Sequence, residues 1–568
     1  MDELGDLTHQ LRSIARSGVS RRGFLVRAAA LGASTLTAGG ILAACSSDGD
    51  DVASDTSSPT TSGQSAATTA PATGGPKVGG VFREGYDRDL TGPDPVRNAW
   101  ADPTFNAFYE ALVMRSPDGP IVPMLASAFS NDDTGWRFTL REGLQFHSGL
   151  ACTPEIVVEN FDLFRDPETG QNGPFWEPVT AVTNVGLEIT CATDGPFQAF
   201  QETITTEYCY ILNPAARREA GDQYGVSVID GTGPFKLVDF KPNQKARGER
   251  WDDYPGTVVP FFENKGTAHL DAIEWIPITE ASQRAPEIES GNVDAVKNPP
   301  PQDVDRLKAN DDLVVLEFQE FSNFFLSLNL GETALGFDDV RVRQAVSHAI
   351  DRQGIVDALF RGRAAPTYGP VMPGWKFYNP AVEEFNQFDL DESARLFIEA
   401  GWTRDGDGIL EKDGVPMSFT TLQLSDTTEN TVMQAVAEQV RAAGVEMKVE
   451  TLESAAFFPE LTSELTSYAF KWLWSSPIDV VALFVKFYQP ESPELAAVNE
   501  AFTAWQTAND EATLKAAAFD VQNIFAESLP LIPLYTPNTI WVHHKNVIGW
   551  TPNQANLYPF YNDVWIDA

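Results

Sequence analysis

The composition of the chain changes sharply near residue 77, and this boundary limits what each side can fold into. Residues 46–76 contain no aromatic side chain and only Val52 as a branched apolar residue. Such a segment buries too little apolar surface to offset the entropy lost on ordering, so we expect a flexible tether there. The body that follows, about 490 residues long, exceeds what one hydrophobic core usually supports and predicts two or three lobes.

The stretch before the tether has the order of an export signal. Residues 20–45 read SRRGFLVRAAALGASTLTAGGILAAC, a basic pair followed by a short apolar run and small residues. Its uncharged part, 28–44, is shorter than the ~20 apolar residues that a membrane-spanning helix needs. The pair Arg21 and Arg22 resembles the twin-arginine signal, and Leu42–Cys45 resembles the lipobox at which a cysteine is acylated. An internal apolar helix with chance arginines is the alternative.

These motifs predict a twin-arginine-type lipoprotein signal peptide over 1–44 and a lipidated Cys45 at the start of the mature chain. Residues 45–77, the lipidated cysteine and its tether, would reach about 30 Å by the square-root rule. We therefore expect an extracytoplasmic protein that lipid at Cys45 anchors to the cell membrane, in the periplasm or on the outer face of the plasma membrane. The export route stays open between the twin-arginine and the general secretory pathways.

The net charge of the chain limits the kinds of molecule that it can bind. Without residues 1–44, 35 basic and 77 acidic residues remain, a net charge of −42. This charge disfavours phosphate-backbone binding, and no basic stripe with interleaved aromatic residues occurs, so we expect no nucleic-acid partner. With Cys45 acylated, the other three cysteines allow one internal disulfide at most. A Cys191–Cys209 pair and buried free thiols both remain open.

Helix-like and strand-like patterns alternate along the body. Apolar residues at three-and-four spacing predict one amphipathic helix within 338–360 and another over Thr431–Ala443, which Gly444 ends. Alternation predicts strands at Trp136–Leu140, Phe235–Phe240 and 445–449. Gly231 and Gly233 predict either an ordinary turn or a close backbone crossing between lobes. Helix, short turn and strand in succession are typical of an α/β lobe.

Little in the chain suggests catalysis or a bound metal. The six histidines are scattered, and the adjacent pair, His543 and His544, would point to opposite faces of a strand. The acidic stretch 405–413 lacks the ligand order and the twelfth-position glutamate of an EF-hand. No nucleophile elbow, zinc spacing or phosphate loop appears. We therefore predict no enzyme activity, no cofactor and no metal site.

Five blocks of sequence fall in the order and spacing of one family. They are YEALVMRSPDGPIVPMLASAF (109–129), WRFTLREGLQFHSG (136–149), GTGPFKLVDFKPNQKARGERWDDYPG (231–256), FDDVRVRQAVSHAIDRQGIVDALFRG (337–362) and IEAGWTRDGDGILEKDG (398–414). Together they resemble the bacterial extracellular solute-binding proteins of family 5, which serve the peptide, opine and nickel ABC importers. The resemblance runs from about Val78 to the end of the chain.

The resemblance implies an α/β fold of the periplasmic-binding-protein type (type II, cluster C), with two α/β lobes, a hinge and an extra domain inserted in the first lobe. It assigns 78–111, 226–322 and 536–568 to lobe I, 112–225 to the inserted domain and 323–535 to lobe II. Lobe closure would trap a small solute that is peptide-like, an oligosaccharide or opine-like. The protein would then present it, as a monomer, to ABC permease subunits. A lipid-anchored hydrolase and a sensory or chaperone binding protein are the alternatives.

The resemblance also implies a ligand pocket. In the peptide-binding branch a tryptophan lines the pocket near an aspartate that pairs with the peptide's α-amino group; Trp472 matches the former, but Ser475 stands three residues on. Asp479 comes four residues after Ser475. This departure from the family pattern puts simple peptide binding in doubt. Aromatic faces and polar tips near the inferred lobe edges complete the set of predicted ligand-binding residues: Tyr109, Asn323, Tyr368, Trp375, Trp472, Trp474 and Ser475. Few histidines make a nickel chelate the less expected ligand.

Overall fold

A computed structural model describes residues 75–567, apart from positions 89, 91, 98–102, 118, 167–175, 177, 196, 198–199, 243, 321, 407, 425–426, 453–456, 458–466, 474–479, 482–483, 490, 509 and 553–557. The predicted signal residues Arg21 and Arg22, the predicted lipidation site Cys45, and the predicted ligand residues Trp474 and Ser475 therefore lie outside the described residues.

The strands follow in chain order. They are β1 (Val81–Tyr86), β2 (Val113–Arg115), β3 (Ile121–Pro123), β4 (Ala126–Asp132), β5 (Gly135–Leu140), β6 (Val179–Val185), β7 (Glu188–Thr193), β8 (Phe235–Lys241), β9 (Lys245–Arg250), β10 (Ala272–Pro277), β11 (Ala295–Lys297), β12 (Leu313–Gln319), β13 (Ser322–Ser327), β14 (Ala364–Pro366), β15 (Glu411–Lys412), β16 (Val415–Pro416), β17 (Ser418–Leu424), β18 (Glu446–Leu452), β19 (Ser467–Leu473), β20 (Ile532–His544), β21 (Val547–Ile548) and β22 (Trp565–Ile566).

The α-helices alternate with these strands. They are α1 (Phe105–Phe108), α2 (Pro154–Arg165), α3 (Phe200–Thr203), α4 (Pro214–Ala220), α5 (Ala281–Glu289), α6 (Val304–Lys308), α7 (Val340–His348), α8 (Arg352–Phe360), α9 (Leu390–Glu399), α10 (Thr427–Ala442), α11 (Pro493–Thr507) and α12 (Glu511–Ser528). In the part of the chain that the structure describes, no helix is both long and apolar enough to cross a membrane.

One large mixed sheet organises the molecule. Its strand order is β18-β17-β19-β13-β20-β11-β1-β10-β9-β8, and β12 and β14 also pair with β20. The long strand β20 therefore joins two parts of the sheet. We call β8–β11 with β1 the first half of the sheet, and β13 with β17–β19 the second half. A separate four-stranded sheet, β4-β5-β7-β6, lies within the range 112–225 that the resemblance assigned to an inserted domain.

Apolar faces of the helices cover this framework. One core cluster packs α7, α8, α9 and α10 against the second half of the sheet, with Val346, Val436 and Ile532 fully or almost fully buried. A smaller cluster packs α5 and α6 against the first half, around Ile288 and Val542. Burial of each such aliphatic side chain stabilises the fold by about 1.5–3 kcal/mol, so these faces fix the helices on the sheet.

Several predicted elements are confirmed. The strand at Trp136–Leu140 is β5, the strand at Phe235–Phe240 is β8, and the second helix is α10. Gly444 follows that helix with a φ of 89°, the left-handed region that glycine adopts freely, and β18 begins two residues later.

The single helix predicted within 338–360 is wrong, because two helices, α7 and α8, occupy that stretch. Asp351 separates them: it has a non-helical backbone, and its side chain accepts a hydrogen bond from the amide of Gly354 at 2.8 Å. An aspartate in this position is an N-cap, which starts a new helix even though the apolar spacing continues across it.

The glycines at 231 and 233 make a close backbone crossing rather than an ordinary turn. The amide of Gly233 donates to the carbonyl of Phe108 at 3.0 Å. A Cβ atom on Gly231 would lie 2.1 Å from that same carbonyl oxygen. Both segments fall within the range predicted as lobe I. Elsewhere, Cys152, Cys191 and Cys209 are buried free thiols.

Candidate functional site

Strand direction identifies where a ligand would bind. In the first half of the sheet, β1 runs parallel to both β10 and β11, so the carboxyl ends of all three lie at one edge. In the second half, β17 runs parallel to β18 and β19. Ligands of open α/β sheets bind outside the carboxyl ends of parallel strands, so each half has one candidate edge.

The two candidate edges face each other. Lys297, at the end of β11, pairs with Trp541 in β20. The residues of β20 that precede Trp541 extend from there toward the second half of the sheet. There Leu473, at the end of β19, pairs with Ser322 at the start of β13. The carboxyl ends therefore approach the same place from opposite directions. We call this place the crossing edge.

Two chain segments connect the halves at the crossing edge. One is the link between β12 and β13, and the other is the middle of β20. The amide of Glu320, between β12 and β13, donates to the carbonyl of Pro537 at 2.8 Å. The hydroxyl of Thr536 donates to the carbonyl of Glu320 at 2.9 Å. All three residues lie near the midpoint of the sheet, with β12 paired on one side and β14 on the other. The connection is a pair of neighbouring extended segments, which is the geometry of a hinge.

Charged side chains follow the carboxyl ends of the first half. Lys297 is buried, its ammonium group 3.3 Å from the hydroxyl of Tyr86 and 3.9 Å from a carboxylate oxygen of Asp87. Burial lowers the pKa of Lys297, and the positive charges of Arg88 and Lys471 lower it further, whereas Asp87 and Glu320 raise it. Burial raises the pKa of Asp87, but Lys297, Arg88 and Arg284 together hold it below its ordinary value.

The second half contributes its own charged group. Lys471 of β19 lies 3.7 Å from a carboxylate oxygen of Glu429, in the first turn of α10. The side-chain amide of Gln423, near the end of β17, donates to the other oxygen of Glu429 at 3.2 Å. The positive charge of Lys471 also contributes to the lowered pKa of Lys297.

Three of the sequence-predicted site residues lie near the crossing. Asn323 in β13 is paired in register with Trp472 in β19. Its side-chain amide donates to the carbonyl of Gly369 at 3.2 Å, next to Tyr368. Tyr368 itself donates to Gln387 at 3.4 Å, and the guanidinium of Arg352 stacks 5.0 Å from its ring centre. The fold thus brings Asn323 and Trp472 together, with the backbone that carries Tyr368 beside Asn323.

The other two described residues are packed in apolar surroundings. Tyr109 is fully buried, donates to the carbonyl of Pro93 at 2.6 Å and stacks on Tyr210. Burial raises the pKa of its phenol well above the ordinary value. Trp375 is nearly buried in the main core cluster, and its amide donates to the carbonyl of Met372 at 3.2 Å. Both side chains belong to the main core cluster.

The predicted histidine geometry is confirmed in β20, where His543 and His544 occupy successive strand positions. Among the described residues, no group of three or more histidine, cysteine, aspartate or glutamate side chains could hold a metal ion. The stretch 405–413 leads into the hairpin of β15 and β16.

The charged residues at the crossing edge were not found from the sequence. Arg88, Lys297 and Lys471 have no motif around them. The cue in the sequence was the position of these residues at the ends of strand-like runs. AVK (295–297) ends one such run directly before NPP, and YDR (86–88) ends another. Charges placed directly after buried strands are candidate ligand contacts, but only the strand order shows that they converge.

Comparison with known proteins agrees with this geometry. The family model described as "Bacterial extracellular solute-binding proteins, family 5 Middle" matches residues 120–492. The glutathione-binding protein GsiB of Salmonella typhimurium is 24% identical over 467 residues, which cover 78% of this chain and 86% of that protein.

Two solved structures are similar over most of the chain. NikA from Brucella suis, in complex with Fe(III)-EDTA, superposes with a TM-score of 0.73 at 20% identity, covering 86% of this chain and 100% of that one. DppA from Helicobacter pylori, in complex with the peptide STSA, superposes with a TM-score of 0.72 at 19% identity, covering 87% and 99%. These likenesses confirm the predicted two-lobed fold class, and the chain belongs to the bacterial extracellular solute-binding proteins of family 5.

Proposed function

We propose that the protein captures a small solute at the crossing edge, between its two lobes, and delivers it to the permease of an ABC importer. One observation carries this proposal: the carboxyl ends of both halves of the sheet converge where two neighbouring chain segments connect them. Such a connection lets the halves move about a hinge and enclose whatever binds between them. The relatives are binding proteins, and we propose reversible capture without chemical conversion.

The proposed solute is a small organic molecule: peptide-like, an oligosaccharide or opine-like. A relative that binds glutathione and a structure that holds the peptide STSA support the peptide-like class. A further similar structure, AgaA from A. tumefaciens R10 with agropinic acid, supports the opine-like class. The predicted ligand residues remain our proposal for the pocket wall, with Asn323, Tyr368 and Trp472 beside the crossing.

We also propose that the captured solute reaches its permease because the protein is tethered. Cys45 would carry the lipid, 1–44 would be the cleaved signal, and 45–77 would span the distance to the body. The predicted division into lobe I, inserted domain and lobe II, and a monomeric state, belong to the same proposal.

Extraction of the bound solute tests the function. Protein purified from its native host is denatured, and the released small molecules are identified by mass spectrometry. The same solute is then incubated with stripped protein at stoichiometric concentration and analysed again. The proposal predicts one solute per chain, recovered unchanged after hours. Accumulation of a product would overturn it in favour of the hydrolase.

A further inference from the structure

We propose that Arg363, Asp305 and Glu317 form an ionic clasp across the hinge, which sets the angle between the two halves of the sheet before a solute binds. The name clasp refers to these three side chains throughout. The inference rests on the proposed function, because it identifies the contact that positions the halves for capture.

Arg363 is carried by elements of the second half. It lies between helix α8, which packs against that half, and strand β14. Its amide donates to the carbonyl of Phe360, the last residue of α8, at 2.9 Å, and its carbonyl accepts from the amide of Asn538 in β20 at 2.9 Å. Asn538 directly follows Pro537, whose carbonyl accepts from the amide of Glu320. The backbone of Arg363 is therefore fixed to the second half and lies beside the hinge.

The two acidic partners belong to the other side of the hinge. Asp305 lies in α6, whose apolar face is buried in the cluster that packs against the first half. Glu317 lies in β12, which pairs with the part of β20 that also pairs with β11 of the first half. Arg363 donates through Nη2 to a carboxylate oxygen of Asp305, and its Nε lies 3.8 Å from a carboxylate oxygen of Glu317. One guanidinium therefore joins the two sides.

Strand register explains why these side chains meet. Asn538, which bonds to the backbone of Arg363, pairs in register with Gln319 of β12. Glu317 is two residues before Gln319, and side chains two apart on a strand point to the same face. The side-chain amide of Asn538 accordingly donates to Glu317 at 2.9 Å. Arg363 thus reaches Glu317 across β20, on the face of the sheet that α6 covers.

The clasp is withdrawn from water around its cation. The side chain of Arg363 is 10% exposed and that of Glu317 is 18% exposed, whereas that of Asp305 is 65% exposed. Burial raises the pKa of Glu317, but hydrogen bonds from Lys308 and Asn538 and the positive charges of Lys308 and Arg363 hold it below its ordinary value. Separating a largely buried cation from its anions leaves charge uncompensated, so the clasp should resist rotation of the halves.

One donor of the clasp is unused at the angle seen here. Among the described residues, Nε of Arg363 has no hydrogen-bond acceptor. Its distance to Glu317 exceeds a charge-assisted hydrogen bond of about 2.8 Å by roughly 1 Å. A small rotation of β14 relative to β12 would complete this bond. The clasp therefore restricts the angle between the halves to a narrow range without locking it.

Spin-label distances test the inference without any solute. Lys241 in β8 and Lys448 in β18 are exposed and lie on the two outermost strands of the large sheet. At strand spacings of ~4.8 Å they are about 40 Å apart along the sheet, a distance that double electron–electron resonance resolves. Lys241→Cys and Lys448→Cys are introduced together and labelled with a nitroxide.

The labelled protein is the chain from residue 45 onward with Cys45→Ala, so that it carries no lipid, and it is stripped of any co-purified solute. The other cysteines, at 152, 191 and 209, are buried, so the nitroxide reacts at the two introduced thiols. Thermal unfolding confirms that each variant is folded.

Arg363→Gln removes the cation of the clasp, and Asp305→Asn with Glu317→Gln removes its anions. Arg361→Gln is the matched control, because it loses the same charge at an exposed position two residues earlier. We expect Arg363→Gln to lower the ratio of the wild-type distance peak to all other distances by about tenfold, and the acidic double variant to do the same. The triple variant should show no further change, because the same contact is already lost. Arg363→Lys, which keeps the charge, should recover part of the peak.

Salt gives an independent check. Raising NaCl from ~0.01 M to ~1 M shortens the Debye length from ~30 Å to ~3 Å and weakens the contact of Arg363 with the more exposed Asp305. The wild-type distribution should therefore shift toward that of Arg363→Gln at high salt, while the distribution of the variant changes little.

Either of two results would overturn the inference: folded Arg363→Gln gives the wild-type distribution, or Arg361→Gln shifts it as much as Arg363→Gln does. In both cases solute capture stands and the clasp does not set the angle. If instead no solute can be extracted from the native protein, the proposed function fails, and the role of the clasp in capture fails with it even where the distances respond as expected.

Discussion

The amide of Glu320 donates a hydrogen bond to the carbonyl of Pro537 at 2.8 Å, where the two connecting segments of the sheet lie side by side. The residues are far apart in sequence, yet this bond and the neighbouring Thr536 hydroxyl hold the two segments together. The crossing edge takes its shape from this contact, because both candidate edges lie directly beside it.

Replacing Thr536 by valine should weaken the connection. Valine has nearly the same shape but cannot donate to the buried carbonyl of Glu320, which the threonine hydroxyl reaches at 2.9 Å. We expect the free energy of unfolding to fall by about 1–2 kcal/mol. Urea denaturation measures this. Thr503→Val is the control, because Thr503 is exposed and its hydroxyl donates to the carbonyl of Asn499 within helix α11. A loss no larger than that of the control would show that the bond contributes nothing.

Replacing Gly231 by alanine should destabilise the protein strongly. The new Cβ atom would lie 2.1 Å from the carbonyl oxygen of Phe108, so backbone must shift. Overpacking of this kind costs about 1–3 kcal/mol or more, and we expect a clear fall in the melting temperature. Gly266→Ala is the matched control, because its nearest neighbouring atom would be 3.8 Å away. Equal melting temperatures for the two variants would contradict the close crossing.

Much of the local structure followed from the sequence, and the failures have identifiable causes. Strand β5 and the end of α10 at Gly444 were predictable because alternation and a helix-stopping glycine are local signals. The apolar spacing does not reveal the break between α7 and α8, because Asp351 fits the amphipathic pattern as a polar position although its side chain caps the second helix.

The candidate site was less predictable. Its position depends on which strands are neighbours, and this information is spread over the chain. Tyr86 and Lys297 meet through the pairing of β1 with β11, whereas Lys471 is linked to that part of the sheet through β13 and β20. The aromatic residues chosen from the sequence came from the family resemblance and from residue type. Neither of these measures burial, and Tyr109 is fully buried with its hydroxyl already bonded.

The contribution of Glu84 to stability should fall as pH rises above about 4.5. This carboxyl is buried, accepts a hydrogen bond from Tyr561 at 2.7 Å, and has a pKa raised to about 8 from an ordinary 4.5. Between these values the folded state keeps a proton that the unfolded state has released. The contribution of Glu84 is therefore complete below pH 4.5 and decreases by up to about 1.4 kcal/mol per pH unit until about pH 8.

Glu84→Gln isolates this effect, because the amide cannot titrate and other carboxyl groups cancel in the comparison. The free energy of unfolding is measured by denaturation from pH 4.5 to 8 for both proteins. The wild-type value minus the variant value should decrease steadily across that range. A difference that stays constant with pH would show that Glu84 does not titrate as proposed.

Cys45→Ala should release the protein from membranes. The prediction rests on the lipobox-like residues Leu42–Cys45, since without the thiol there is no group to acylate. Membrane fractionation of the expressing cells, followed by immunoblotting, measures the bound fraction. Ser46→Ala changes the next residue and should leave that fraction high. Retention of the Cys45 variant at the wild-type level would reject the lipid anchor at this position.

Solution X-ray scattering of the mature chain, with and without its extracted solute, tests capture between closing lobes most directly. The halves of the sheet are joined by neighbouring segments at Glu320 and Pro537, so a solute that contacts both should stabilise a more closed arrangement. We expect a smaller radius of gyration when solute is added at saturating concentration, reversal on dialysis, and recovery of the solute unchanged. An unchanged radius of gyration at full occupancy, or a solute recovered as a different compound, would contradict it.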